Sequence, residues 1–316
     1  MTEKLRIVFM GTPEFAVGIL DAIIKSKYDV VGVITAADKP AGRGQKIKYS
    51  AVKEYSIQNN LRLLQPVNLK DESFIAELKS LNANLQIVVA FRMLPKIVWE
   101  LPALGTFNLH ASLLPDYRGA APINWAIIKG ETKTGVTTFF IDDKIDTGAI
   151  ILKLETEIRP TETAGQVHDR LIGLGSQAVL KTLVMIADKS VTTRLQNDNA
   201  NLKTAHKLNK ENCKIDWNKT ADEIYNLIRG LSPYPAAWCH FNYDNQQLIV
   251  KIYAAEIIIE QHLYAAGKIS GTKKELLVAV QGGFIKIVTL QLSGRNKMGA
   301  KQFLNGTTFS ENAYVS

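Results

Sequence analysis

Cysteine is almost missing from this chain: 316 residues hold two, Cys213 and Cys239. They have no C-x-x-C spacing and no histidine array nearby. Neither a disulfide framework nor a structural zinc site is expected, and two reduced, buried thiols are the better reading. Long apolar runs are missing too. Ile87-Val88-Val89-Ala90-Phe91 is far shorter than the roughly 18 apolar residues of a membrane span. The first strand is preceded by Glu3, Lys4 and Arg6 with no signal-peptide core. The expectation is a cytoplasmic protein with no membrane partner. The glycines of a dinucleotide fingerprint are absent as well. Gly11-Thr12-Pro13-Glu14-Phe15 carries Pro13 and the bulky Phe15 in the stretch where G-x-G-x-x-G needs close backbone approach. A nicotinamide oxidoreductase is disfavoured, and a tight strand-to-helix turn is the better reading. His168, His206, His240 and His262 show no metal-ligand spacing, so no metal is expected.

What is present is ordinary globular composition with an excess of positive charge. The net charge of +8 and pI near 9.2 suit a polyanionic partner such as nucleic acid. Because the basic residues are scattered, a merely solvated basic surface accounts for them about as well.

The length suggests two domains. The first half alternates short apolar runs with helix-period stretches, the pattern of βαβ units around a mostly parallel sheet. Strands are expected at 5–10, 30–35, 85–90, 104–109 and 136–141, with helices at 71–81, 122–129 and 166–187. Another helix follows residue 12, with Thr12 as N-cap and Pro13 in its first position. Residues 190–205 lack periodicity and read as a linker. Beyond them, Thr220 and Glu223 form a capping box for a helix whose stripe is Ile224, Leu227, Ile228 and Leu231. The runs 248–254, 276–280 and 284–290 then suggest a small β-barrel or sandwich. The organisation expected is an α/β, Rossmann-like domain over 1–189, a linker over 190–205 and a β-barrel domain over 206–316.

Asn108-Leu109-His110 ends the 104–109 strand, just before the Leu114-Pro115 break. Strand side chains alternate, so Asn108 and His110 project from one face, at the carboxyl edge where open α/β sheets place ligands. An amide and an imidazole converging there suit a carbonyl oxygen that gains charge in acyl transfer. Taken in isolation, such a pair is better explained as two buried polar groups satisfying the backbone. Asp146, in Asp146-Thr147-Gly148, is a candidate partner that would fix the imidazole tautomer and accept a proton. The tripeptide is weak alone, since it also marks a capped turn, and its use in aspartic proteases belongs to an all-β fold. If strands 104–109 and 136–141 are neighbours, their carboxyl-end loops meet. Asp38 to Lys46 forms a basic loop in which glycines flank Arg43. Such a loop reads either as an exposed connection or as a nucleic-acid contact that reorders on binding.

Together these segments resemble the tetrahydrofolate-dependent formyltransferases and, within them, the methionyl-tRNA formyltransferase family, along nearly the whole chain. The resemblance rests on Asn108-Leu109-His110-Ala111-Ser112-Leu113-Leu114-Pro115-Asp116-Tyr117-Arg118-Gly119-Ala120-Ala121-Pro122 and the later Asp146-Thr147-Gly148. It is narrowed by Val8-Phe9-Met10-Gly11-Thr12-Pro13-Glu14-Phe15, by Pro40-Ala41-Gly42-Arg43-Gly44, by Ile215-Asp216-Trp217, and by Ile228-Arg229-Gly230-Leu231-Ser232-Pro233-Tyr234-Pro235.

The resemblance implies transfer of a formyl group from 10-formyltetrahydrofolate to the α-amine of methionyl initiator tRNA, with no metal. It implies an oxyanion held by Asn108 and His110, with Asp146 orienting His110 and helping to remove the amine proton. It implies a folate pocket lined by Phe91, Arg92, Met93 and Leu94, by Ser112, Leu113, Leu114 and Pro115, and by Asp142. It places tRNA contacts at Lys39, Arg43, Gln45 and Lys46 and in an OB-like carboxyl-terminal barrel, and a monomer is the state expected. The chain departs from the family pattern at Phe91 to Pro95, one residue shorter than usual, and at Lys144, where a small residue is commoner. Formylation of a sugar nucleotide or purine precursor would use the same three catalytic residues but would not need the Arg43 loop. A binding-only RNA chaperone would leave those three residues unexplained.

Overall fold

Seven strands of the first compact unit form one sheet, in the order Ile150–Glu157, Lys133–Phe140, Thr106–His110, Leu85–Val89, Arg6–Gly11, Asp29–Ile34, Leu63–Leu64. The computed structural model describes residues 4–41, 46–197, 202–272 and 274–316. Its contacts divide the chain into Met1–Gly119 with Gly135–Thr156 and His168–Lys203, and Ala120–Thr134 with Glu157–Val167 and Thr204–Ser316. Residues 190–197 and 202–203, in the aperiodic stretch, therefore belong with the first unit.

From Leu63–Leu64 to Thr106–His110 every neighbouring pair is parallel. The central strands are mostly apolar because helices cover both faces. Leu85–Val89 is buried at every position. Lys133–Phe140 breaks the pattern and runs antiparallel to Thr106–His110. The helix after the first strand is Glu14–Lys25, and Pro13 is its N-cap rather than its first residue. Pro13 has ψ 177, so its own backbone is extended and helical geometry begins one residue later than expected. Gly11 is needed at this turn: a Cβ there would stand 2.5 Å from the Ala16 Cβ.

Ala164–Ala187, the long helix expected at 166–187, reaches membrane-spanning length without a long continuous apolar run. Among the described residues it is the one helix long and apolar enough, with a hydropathy of 1.3. Its apolar residues are not consecutive, which is why the sequence shows no run. They form a stripe packed on the sheet: Gly175 lies against Leu109 and Ile19, and Thr182 shares a buried hydrogen bond with Thr138 at 2.8 Å.

In the second unit, strands in the order Ile269–Gly271, Leu276–Val280, Gly283–Leu292, Gln246–Ile259, Ala237–Tyr243, Tyr314–Val315 pair into a nearly closed antiparallel barrel. A bridge between Lys268 and Tyr314, with Ile269 N donating to Ala313 O and Val315 N to Gly267 O, joins the first stave to the last. Ala221–Leu231 begins with the expected capping box of Thr220 and Glu223. An eleven-residue helix is marginal in water; Ile224, Ile228 and Leu231, buried in the barrel core, hold it.

Candidate active site

Thr106–His110 carries Asn108 opposite Val88 on one side and Phe139 on the other, with His110 opposite Thr137. Leu109 faces the long helix at Gly175, so alternation turns Asn108 and His110 to the other face of the sheet. His110 is buried at 7% exposure. Its Nε2 stands 2.8 Å from the Tyr117 carbonyl oxygen. A carbonyl only accepts, so Nε2 carries the hydrogen and Nδ1 is the nitrogen free to gain or lose one. Asp146 Oδ2 lies 3.7 Å from that Nδ1.

The loop after the strand makes this arrangement. Ser112 Oγ donates to Asp116 O at 2.7 Å. Thr137 Oγ1 donates to Ser112 O and accepts from Leu114 N, at 2.7 and 3.2 Å. Tyr117 takes φ 60, which turns the chain, and its carbonyl meets the imidazole. Among the described residues no side chain or backbone group takes up the Asn108 amide. It is half-buried at the strand's end.

Asp146 reaches His110 by a different route from the one expected. The two strands are neighbours but antiparallel, so the carboxyl end of Lys133–Phe140 lies beside the start of Thr106–His110. Ile141 N donates to Thr106 O at 2.9 Å. From there to His110 is four residues of strand, roughly 13 Å, and residues 142–146 can span about 17 Å when extended. The segment runs back along the sheet to deliver the carboxylate. Asp142 shapes its start, with Oδ1 accepting from Lys144 N at 3.0 Å and Thr147 Oγ1 at 2.7 Å. Asp146 takes φ 55, and its Oδ2 accepts from Gly119 N at 2.9 Å. Gly148 is obligatory, because a Cβ there would overlap the Phe140 carbonyl.

The other sequence-derived residues fall on two loops and a hairpin. Leu114 is buried with Phe139 and Ile150, and Leu113 fills the space left by Gly135. Ser112 is buried and Pro115 half-buried beside them. Leu94 belongs to a cluster with Val8, Met10 and Val88, against which both Phe91 and Ile141 pack. That brings the Phe91–Leu94 loop and the start of the 141–149 segment to one apolar floor. Arg92 is tied to the carbonyls of Val67 and Pro66, and Met93 is 65% exposed. Lys39 and Lys46 lie in a two-stranded hairpin, Lys39–Ala41 with Lys46–Lys48, whose base is held by Asp38 paired to Lys53 and Gln65. Arg43 and Gln45 lie outside the described residues. No group of three or more His, Cys, Asp or Glu among the described residues is arranged to hold a metal.

Sequence reasoning missed Gln196. Its Nε2 donates to Asp146 O at 2.9 Å and Gly148 O at 2.8 Å, and its Oε1 accepts from Arg118 Nε and Nη2 at 3.2 and 2.9 Å. It also missed Lys203, whose carbonyl accepts from Tyr117 N at 2.6 Å. Both act on backbone atoms, and hydrogen bonds to backbone leave no periodicity to read.

An amide and an imidazole–carboxylate pair stand on this α/β sheet, and the sequence around them matches one family, the formyl transferases. The chain belongs to that family: the formyl transferase model matches residues 5–183, and the formyl transferase C-terminal domain model matches residues 207–308. Within it, the chain is 70% identical to the methionyl-tRNA formyltransferase of Flavobacterium johnsoniae over 313 residues, 99% of each chain. Among solved structures it resembles the sugar 3N-formyl transferase WlaRD, determined with dTDP and 5-N-formyl-THF, at TM-score 0.64 and 23% identity, covering 93% of this chain and 100% of that one. It resembles HypX from Aquifex aeolicus in complex with tetrahydrofolic acid at TM-score 0.65 and 16% identity, covering 98% of this chain and 49% of that one. Those two likenesses show the fold.

Proposed function

We propose that this protein transfers the formyl group of 10-formyltetrahydrofolate to the α-amine of methionyl initiator tRNA. The observation that carries the reading is Asp146 beside His110, with Asn108 on the same face of the strand, in a chain 70% identical to a methionyl-tRNA formyltransferase over 99% of its length. An aminoacyl amine has a reference pKa of about 7.7 to 8.0 or lower, so part of it is neutral near pH 7. Its lone pair attacks the formyl carbon, and the carbonyl π pair moves to oxygen. The Asn108 amide donates to that oxygen, and His110 reaches it only through a protonated Nδ1, since Nε2 is engaged by Tyr117. The proton lost by the amine passes to the His110–Asp146 pair. It returns to N10 of the folate as the carbon–nitrogen bond breaks, giving formylmethionyl-tRNA and tetrahydrofolate.

The residues present fit a folate. The floor under Phe91, Leu94 and Ile141 suits a flat heteroaromatic ring, and Asp142 offers an acceptor at its edge. Ser112, Leu113, Leu114 and Pro115 form the second wall. On this reading residues 1–189 carry the chemistry and the 206–316 barrel holds the tRNA, with Lys39, Arg43, Gln45 and Lys46 at the acceptor arm. Cytoplasmic placement agrees with two free, buried thiols. Supplying 10-formyltetrahydrofolate with methionyl-tRNA or with an amino-sugar nucleotide tests the reading. Formyl is expected on the tRNA; transfer to the sugar alone overturns it.

A further inference from the structure

Asp146 holds a backbone conformation that non-glycine residues rarely adopt, φ 55, and such conformations persist only where the surroundings enforce them. Three contacts surround it. Gly119 N fixes the carboxylate through Oδ2, and the Asp146 carbonyl is fixed by Gln196, which also grips Gly148 two residues on. Gln196 in turn accepts from the guanidinium of Arg118, the residue before Gly119. A closed ring results: Asp146 carboxylate, Gly119 backbone, Arg118 side chain, Gln196 amide, Asp146 carbonyl.

The amide is matched to this place. Two carbonyl oxygens need two N–H donors, and a guanidinium needs an acceptor, all on one planar group. Only Asn and Gln offer that set, and Asn is one methylene shorter. The partners also fix which atom is nitrogen, since Arg118 only donates and the carbonyls only accept. Gln196 is itself anchored through Arg194, which exchanges two backbone hydrogen bonds with Ile150 at 2.8 and 2.9 Å. The 194–196 segment thus straps the two loops that meet at His110.

We infer that Gln196 is a positioning residue for formyl transfer: it locks the Asp146–Gly148 turn and the Arg118–Gly119 backbone together so that the Asp146 carboxylate faces His110 Nδ1. The inference rests on the proposed role of Asp146. It separates Gln196 from a residue that merely stabilises the fold, because the whole effect of Gln196 on turnover then passes through Asp146.

The test is a double-mutant cycle in the full chain, with methionyl-tRNA and 10-formyltetrahydrofolate as substrates. Gln196→Ala is expected to lower kcat by about 10 to 100-fold while both KM values stay within about two-fold. Gln196→Asn should recover part of the loss. In an Asp146→Ala background, Gln196→Ala should subtract nothing further. Wild-type kcat in Gln196→Ala, or the same fold loss in both backgrounds, overturns the inference while leaving the role of Asp146 intact. Wild-type kcat in Asp146→Ala alone overturns the site reading and this inference with it. If Gln196→Ala fails to fold, Gln196→Glu decides: it keeps the size and the Arg118 contact but sets a carboxylate against two carbonyl oxygens. The same fall in kcat is expected there, and an unchanged kcat sinks the proposal.

Discussion

His110 Nδ1 faces Asp146 Oδ2 at 3.7 Å, while the opposite ring nitrogen is committed to the Tyr117 carbonyl. With Nε2–H engaged, a neutral His110 would aim a lone pair at a carboxylate. Asp146→Asn keeps the shape and the hydrogen bond from Gly119 but removes the acceptor charge. Single-turnover formylation should slow by about 100 to 10,000-fold, with the melting curve unchanged. A rate near wild type would remove Asp146 from the chemistry.

Asn108 is committed to nothing else among the described residues, so its deletion should be felt in the transition state rather than in folding. Asn108→Ala should lower kcat by about 100 to 1,000-fold and leave tRNA affinity, measured by filter binding, nearly unaltered. Loss of binding equal to the loss of rate would place the amide in ground-state recognition instead.

Gly148→Ala is expected to be worse than its size suggests. The added methyl overlaps the Phe140 carbonyl, and backbone cannot swing aside as a side chain can. Circular dichroism should show a lower melting temperature, together with a turnover loss of at least about ten-fold. An active, fully stable variant would mean that the 141–149 segment relaxes freely.

Asp38 gives a pH test. The Lys53 ammonium that hydrogen-bonds it, and then Gln65, hold its carboxyl below the usual carboxylate range. A carboxyl depressed on folding stabilises above its unfolded value, and that stabilisation is lost as pH falls through the folded one. Urea midpoints of the wild type and Asp38→Asn should differ at neutral pH and converge below about pH 4. Midpoints equal at every pH would show that the contact at the hairpin base contributes nothing.

The net charge of +8 gives a further test. If tRNA binding uses phosphate contacts, the logarithm of affinity should fall linearly as the logarithm of salt rises. Lys39→Ala should reduce that slope by about one contact, and a flat response would count against a charged interface.

Local chemistry was legible in the sequence. The Thr220–Glu223 capping box depends on two side chains three residues apart, and the shared face of Asn108 and His110 follows from strand alternation. What depends on direction or on distant backbone was not. Periodicity marks residues 136–141 as strand yet carries no arrow, so the antiparallel step beside Thr106–His110 was invisible. The start of the first helix shifted because proline tolerates both N-cap and first-turn positions. Gln196 sits in a stretch without periodicity, and its bonds go to carbonyls that every residue possesses.

The last stave of the barrel, Tyr314–Val315, pairs with Phe241 and Asn242 on one side and meets Lys268 on the other. Two seams of the barrel wait for one short segment. During synthesis that segment emerges from the ribosome after the other staves of the barrel, so the nascent barrel keeps two unpaired edges until it appears. The interval between the emergence of the 283–292 strand and of residue 315 is when those edges are open to pairing with another chain.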